Sequence, residues 1–293
     1  MATTVGIIGQ GFVGSAIKNT LSKYYSVHTY DIDRSKSTSS IEETLLDSEI
    51  VFVCVPTPMR KDGSCDTRIL ESVFENSYEI IKSADPEPKH SDFVKRQKTK
   101  KVFVIKSTVP PGTTERISAK YPRLNVCFSP EFLTEANSDA DFANQTRIII
   151  GGEGAKSVKT MFRRPFPNAA IVVTKSETAE MVKYFTNCFL ATKVTFANQM
   201  YEICAKTGID YDKVCEYALY DPRIGKSHLA VPGPDGDLGF GGHCFPKDLA
   251  AMISFANNSG SSDYFLKAVE IFNRSVRTNK DWEQMIGRAV SDD

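Results

Sequence analysis

Short aliphatic runs alternate with amphipathic stretches through the first 175 positions. The runs Thr4–Ile8, Ser26–Ile32, Ile50–Val55, Val102–Lys106, Asn125–Phe128, Arg147–Ile150 and Ala170–Val173 are rich in β-branched residues and predict strands. Between them, stretches such as Val13–Lys23 and Ile69–Ser83 repeat apolar residues at helical spacing. Strands alternating with helices predict a parallel sheet covered on both faces: an α/β, Rossmann-type doubly wound domain over residues 1–175. After Ser176 the pattern changes. Thr178–Lys206 contains neither Gly nor Pro and carries apolar residues at helical intervals, predicting one long helix that Gly208 stops. Shorter helices are predicted at 211–220, 246–257 and 263–289, so that 176–293 reads as an all-helical domain. Two stretches escape both periods. Ala84–Lys101, with Pro86, Pro88 and a Lys/Arg cluster, is expected to be a surface loop. Asp221–His243, rich in Gly and Pro, is too long for a simple connector and is expected to be functional.

Charge narrows the choice of partners. The chain has 293 residues, and its 36 basic side chains cancel its 36 acidic ones, which argues against nucleic acid or an anionic membrane as a partner. No apolar run approaches the ~20 residues of a membrane span. The first strand begins at Thr4, leaving no room for a signal peptide. Seven cysteines without paired spacing fit neither a disulfide framework nor a structural zinc site, so a reduced, cytoplasmic protein with no metal centre is expected.

Candidate chemistry begins at the first turn. Gly9, Gly11 and Gly14 form GxGxxG between the first strand and the helix containing Phe12 and Val13, and Asp31 closes the next strand. Glycines there let the backbone approach a pyrophosphate at a helix N-terminus, and an acidic strand end accepts ribose hydroxyls and repels a 2′-phosphate. The expected cofactor is NAD. A second cluster is Gly239-Phe-Gly-Gly-His-Cys244-Phe-Pro-Lys-Asp248. Pro246 suits a first helical turn, placing Cys244 just outside a helix N-terminus, where N–H groups and Lys247 favour a thiolate. Lys183 and Asn187 share one face of the long helix, and Glu131 and Glu135 follow Ser129-Pro130.

Taken in order, these segments, with Val55–Pro58, Lys106–Thr114 and Asp221-Pro-Arg-Ile-Gly225, resemble the nucleotide-sugar 6-dehydrogenases of the UDP-glucose/GDP-mannose dehydrogenase family, most closely those acting on UDP-glucose. The resemblance implies oxidation of a sugar 6-hydroxyl to a carboxylate with two NAD. It implies that Cys244 forms a thiohemiacetal and then a thioester, that Lys183 and Asn187 stabilise oxyanions, and that Asp248 and Thr108 hold a catalytic water. Glu131 would activate the hydrolytic water, and Glu135 would lie near the nicotinamide. Gly9, Gly11, Phe12, Val13, Gly14, Asp31, Lys36, Pro56, Thr57 and Pro58 would line the cofactor. Phe132, Leu133, Phe240 and Gly241 would line the nucleotide sugar, and Arg223 would reach it from the other subunit of a homodimer built on the long helix.

Two departures from the family are visible. Lys226–Leu238 is longer than the family's usual loop, which leaves open GDP-mannose or a UDP-N-acetylhexosamine as substrate. About 45 residues follow Asp248, so a short form without the C-terminal UDP-binding domain is expected, with a non-catalytic NAD or nucleotide-sugar binding subunit as the remaining alternative.

Overall fold

The computed structural model describes residues 3–84 and 101–292. The loop predicted at Ala84–Lys101 therefore lies, from 85 to 100, outside the described residues. One seven-stranded sheet contains β1 (Thr4–Ile8), β2 (Ser26–Tyr30), β3 (Ile50–Val53), β4 (Val102–Ile105), β5 (Asn125–Phe128), β6 (Arg147–Gly152) and β7 (Ala170–Thr174), in the order β2-β1-β3-β4-β5-β6-β7. Successive strand residues face opposite sides. Ile50, Phe52, Val102 and Val104 enter one buried cluster, and Val51, Val53, Phe103 and Ile105 enter the other. The first cluster is covered by α1 (Phe12–Leu21) and α6 (Ala155–Phe162). The second is covered by α2 (Ile41–Leu46), α3 (Arg68–Ala84) and α4 (Thr113–Lys120). Local chemistry fixes some of these starts: at α2, Ser40 and Glu43 form a reciprocal capping box, with N–H to side-chain distances of 3.1 and 2.9 Å.

The sheet is not parallel throughout, contrary to the expectation. β6 runs antiparallel to β5, pairing Cys127 with Gly152 and Phe128 with Gly151, and β7 then runs parallel to β6. The connection at 129–146 does not cross a sheet face. Its helix α5 (Ser138–Ala143) docks on α1, so the chain re-enters the sheet from the end at which it left.

The second half is helical: α7 (Ser176–Thr207), α8 (Tyr211–Ala218), α9 (Phe245–Asn258) and α10 (Tyr264–Val276), then a 3₁₀ turn at Asp281–Gln284. The helix expected over 263–289 thus stops at Val276. Arg277 leaves helical geometry, and its buried guanidinium bonds the Asn279 carbonyl at 2.8 Å and Asp235 at 2.6 Å, contacts a continuing helix would not permit. The chain divides into two compact units, one running to Thr57 and including Thr67–Lys183, the other Pro58–Asp66 and the chain from Tyr184 onward. Pro58–Asp66 joins the second unit through Met59, whose N–H donates to the Ala289 carbonyl at 2.8 Å. Among the described residues no helix is long and apolar enough to cross a membrane.

Candidate active site

In the first unit, the turn after β1 is shaped by its glycines. Gly9 has φ +93, and a Cβ there would meet the Cys54 carbonyl at 2.6 Å; one on Gly14 would meet the Gly9 carbonyl. A Cβ on Gly11, by contrast, meets nothing within 4 Å, so open space adjoins the N-terminus of α1. Across that turn, half-buried Asp31 accepts the Gln10 N–H at 2.6 Å on one oxygen and the Asp33 N–H at 2.8 Å on the other. Lone pairs remain for hydroxyl donors. A helix-end dipole beside open space and a fixed carboxylate fit the pyrophosphate and ribose of NAD. Phe12 and Val13 form the first turn of α1, and Lys36 lies exposed beside Asp33 at 3.5 Å. Behind this turn, Thr57 donates to the Thr108 carbonyl at 2.7 Å and Ser107 to the Val55 carbonyl at 2.6 Å, tying the segments after β3 and β4 together.

A buried charge cluster follows β5. Glu131 is 8% exposed and Lys183 3%. Lys183 Nζ donates to Glu131 Oε1 and to the Glu131 carbonyl, each at 2.8 Å, while the Leu133 N–H donates to Oε2 at 2.8 Å. Burial alone would raise the Glu131 carboxyl. The Lys183 charge and hydrogen bond, the Leu133 N–H and the Lys106 charge outweigh it and hold the group below its ordinary range. Lys106, at the end of β4, donates to the Pro130 carbonyl at 3.1 Å, and burial brings its ammonium down to about 8. Phe132 lies under the Arg147 guanidinium at 4.2 Å, and the adjoining cavity, about 460 Å³, is lined by Lys106, Glu131, Phe132, Leu133, Thr134 and Arg147 among others. On the same helix as Lys183, Glu180 accepts N–H groups of Gly112 and Thr114 at 2.7 and 2.8 Å and the Thr114 hydroxyl at 2.6 Å, which ties the start of α7 to the start of α4.

In the second unit, Cys244 occupies the N-cap of α9, with Pro246 in the first turn. The loop before it is held tightly. The Asn273 side-chain amide brackets Phe240, accepting its N–H at 2.7 Å and donating to its carbonyl at 2.9 Å, and Asp281 accepts the Gly242 N–H at 3.1 Å. Cβ atoms on Gly239 and Gly241 would strike Asn273 and Arg277, which is why this loop needs glycine. Asp248, 1% exposed, accepts from Asn187 Nδ2 at 2.6 Å and from Lys247 Nζ. Burial of Lys247 would favour losing its proton, but Asp248, Cys244 and Cys65 together raise its affinity above the lysine norm. The ammonium, bonded to Asp248, thus also lies within electrostatic reach of Cys244, a setting that favours thiolate. Burial, with Cys65 and Asp248, pushes the neighbouring Tyr184 hydroxyl well up.

Not every candidate falls in these clusters. Glu135 opens a 3₁₀ turn and is exposed, whereas Glu131 is buried. Pro56 belongs to the first unit, whereas Pro58 belongs to the second. The Phe240 ring packs in the core of its unit, and Gly241 adjoins Arg277. Arg223 projects from the surface, paired with Asp221. Four residues that sequence reasoning left out of the candidate set stand in the clusters: Lys106, Glu180, Tyr184 and Cys65. A lysine ending the fully apolar run Val102–Ile105, and a glutamate on the buried face of a helix, were the available signs; Cys65 offered none.

Comparison with known proteins adds the lineage. Residues 19–164 match the UDP-glucose/GDP-mannose dehydrogenase family, NAD binding domain, and residues 177–275 match that family's central domain. The chain belongs to this family. NAD is accordingly the cofactor of the first unit. The UDP-glucose 6-dehydrogenase of Rickettsia bellii is 34% identical over 270 residues, covering 89% of this chain and 56% of that protein. A putative UDP-glucose 6-dehydrogenase of Bacillus subtilis is 32% identical over 247 residues, covering 80% and 52%. The chain thus spans about half the length of the curated relatives it matches. Among solved structures, a UDP-glucose dehydrogenase from the archaeon Pyrobaculum islandicum superposes with a TM-score of 0.79 at 29% identity, over 94% of this chain and 68% of that one.

Proposed function

We propose that this family member oxidises the 6-hydroxyl of a nucleotide sugar to a carboxylate, with UDP-glucose as substrate and UDP-glucuronate as product. The observation that carries this reading is Cys244 at a helix N-terminus beside the buried Lys247 ammonium, in a chain whose other unit is an NAD-binding domain. A dehydrogenase that stops at a ketone or aldehyde has no use for an activated thiol; one that proceeds to an acid does. Gly9–Gly14 and Asp31 would hold NAD, which would supply the hydride acceptor, one molecule for each of the two oxidations. Cys244 Sγ adds to the C6 aldehyde, and loss of the second hydride leaves a thioester that one water cleaves, returning the thiol. Asn187 donates to the oxygen that becomes anionic, and Asp248, to which Asn187 is bonded, holds the water. Glu131, kept ionised by Lys183, takes a proton from the hydrolytic water.

The substrate assignment draws support from the names of the relatives above, and GDP-mannose or UDP-N-acetylhexosamine remains the alternative within the family. We further infer a homodimer through α7, whose Phe185, Phe189, Phe196 and Ile203 are 69%, 56%, 61% and 44% exposed along one helix face. Exposed Arg223 is free of the core and suited to reach a partner's site. Seven thiols with no disulfide suit a reducing, cytoplasmic setting. The test supplies NAD and a panel of sugar nucleotides and counts NADH per sugar consumed. Two NADH with UDP-glucose are expected; one NADH with released aldehyde would refute the thioester route.

A further inference from the structure

Lys106 has no part in the chemistry just described, yet it is 4% exposed and carries a charge at neutral pH. A buried ammonium is costly unless something nearby requires it. Among the described residues its hydrogen bond goes to one acceptor, the Pro130 carbonyl, at 3.1 Å. Lys183 bonds the next carbonyl, that of Glu131, at 2.8 Å. Two ammonium groups, one just after β4 and one from α7, therefore hold consecutive carbonyls of a single irregular segment. The side chain carried by that segment is Glu131, and both lysines lie close enough to act on its charge. Lys106 and Glu131 also line the same cavity.

Resting on the dehydrogenase reading, we propose that Lys106 is a positioning residue: it fixes the Pro130–Glu131 backbone and, with Lys183, keeps the Glu131 carboxylate ionised and ready to accept a proton. Other groups around Glu131 do not duplicate this. Cys54, after β3, is a thiol pushed up to about 12 by burial and is neutral at physiological pH. Arg147, on β6, lies over the Phe132 ring. Asp141, on α5, is engaged by the Thr134 N–H and hydroxyl at 2.8 and 2.6 Å. Lys183 already spans the Glu131 side chain and carbonyl, so the second positive charge must come from Lys106.

The experiment compares wild type, Lys106→Met and Lys106→Arg. The titration of Glu131 is followed by NMR of ¹³C-labelled glutamate carboxyls, assigned with Glu131→Gln, and the pH profile of NADH formation is recorded beside it. In Lys106→Met the Glu131 midpoint and the acid limb of the profile should both move up by about one pH unit. Loss of rate should therefore be larger at pH 6 than at pH 8. Lys106→Arg should restore both. A folded Lys106→Met protein in which Glu131 titrates as in wild type overturns the proposal, leaving Lys106 a packing residue. If Lys106→Met does not fold, Lys106→Gln, which keeps a donor for the Pro130 carbonyl and removes the charge, carries the same comparison. If the wild type oxidises no sugar nucleotide, the dehydrogenase reading fails, and the NMR titration alone still decides the role of Lys106.

Discussion

Single residues carry opposite demands in this chain. In the proposed reaction Cys244 acts as thiolate, and replacing it by serine would remove the nucleophile that Lys247 and the α9 N-terminus favour. Cys244→Ser should lower kcat by roughly a thousandfold or more, measured as NADH formation, while NAD binding by fluorescence titration stays unchanged. Lys106 makes a prediction about folding as well. Its ammonium titrates near 8 in the folded chain, against an ordinary 10.5. Between those values the unfolded chain binds the proton and the folded chain does not, so this group's contribution to stability rises with pH across that window. Urea midpoints of wild type should therefore gain on those of Lys106→Met between pH 7.5 and pH 10. An unchanging gap would contradict the depressed value.

At the level of elements, α7 is the part on which both clusters depend. Glu180, Lys183 and Asn187 lie on it within two turns, and each is buried. Glu180 satisfies the start of α4, so its removal orphans two N–H groups and a hydroxyl. Glu180→Ala should destabilise the protein by about 3 kcal/mol in denaturant titrations, a loss from unmet buried donors. The same helix bears the exposed stripe, in which Phe185 and Phe189 stack at 6.3 Å. Phe185→Glu with Phe189→Glu should shift the protein toward monomer in sedimentation; an unaltered mass would overturn the proposed dimer through α7.

For the whole molecule, the two units have separate cores, one pair of clusters on the sheet and another among the helices. NAD binds determinants found in the first unit, so it should stabilise that unit selectively. At one hundred times its dissociation constant the gain is about 2.7 kcal/mol. Calorimetry with and without NAD should show the shift concentrated in part of the unfolding profile. A uniform shift of a single transition would mean that the units unfold as one.

Much of this was legible from the chain. Strand positions followed from apolar runs, because a residue buried on both faces of a sheet has few alternatives to Val, Ile and Phe. The GxGxxG turn and Asp31 were readable because backbone geometry admits only glycine at Gly9 and Gly14, and the helix start at Cys244 was readable from Pro246. Other features depend on contacts between residues far apart in sequence. β6 reverses direction because α5 docks on α1, about 120 residues away, and α10 stops where Arg277 turns to Asp235. The local pattern marks Lys106 as the end of an apolar run but does not say which charges it faces, and it does not distinguish Glu131 from Glu135. The sequence by itself determined which residues could be buried, turned or ionised; only the tertiary structure decided which charges would face one another away from water, where an unpaired one could not remain.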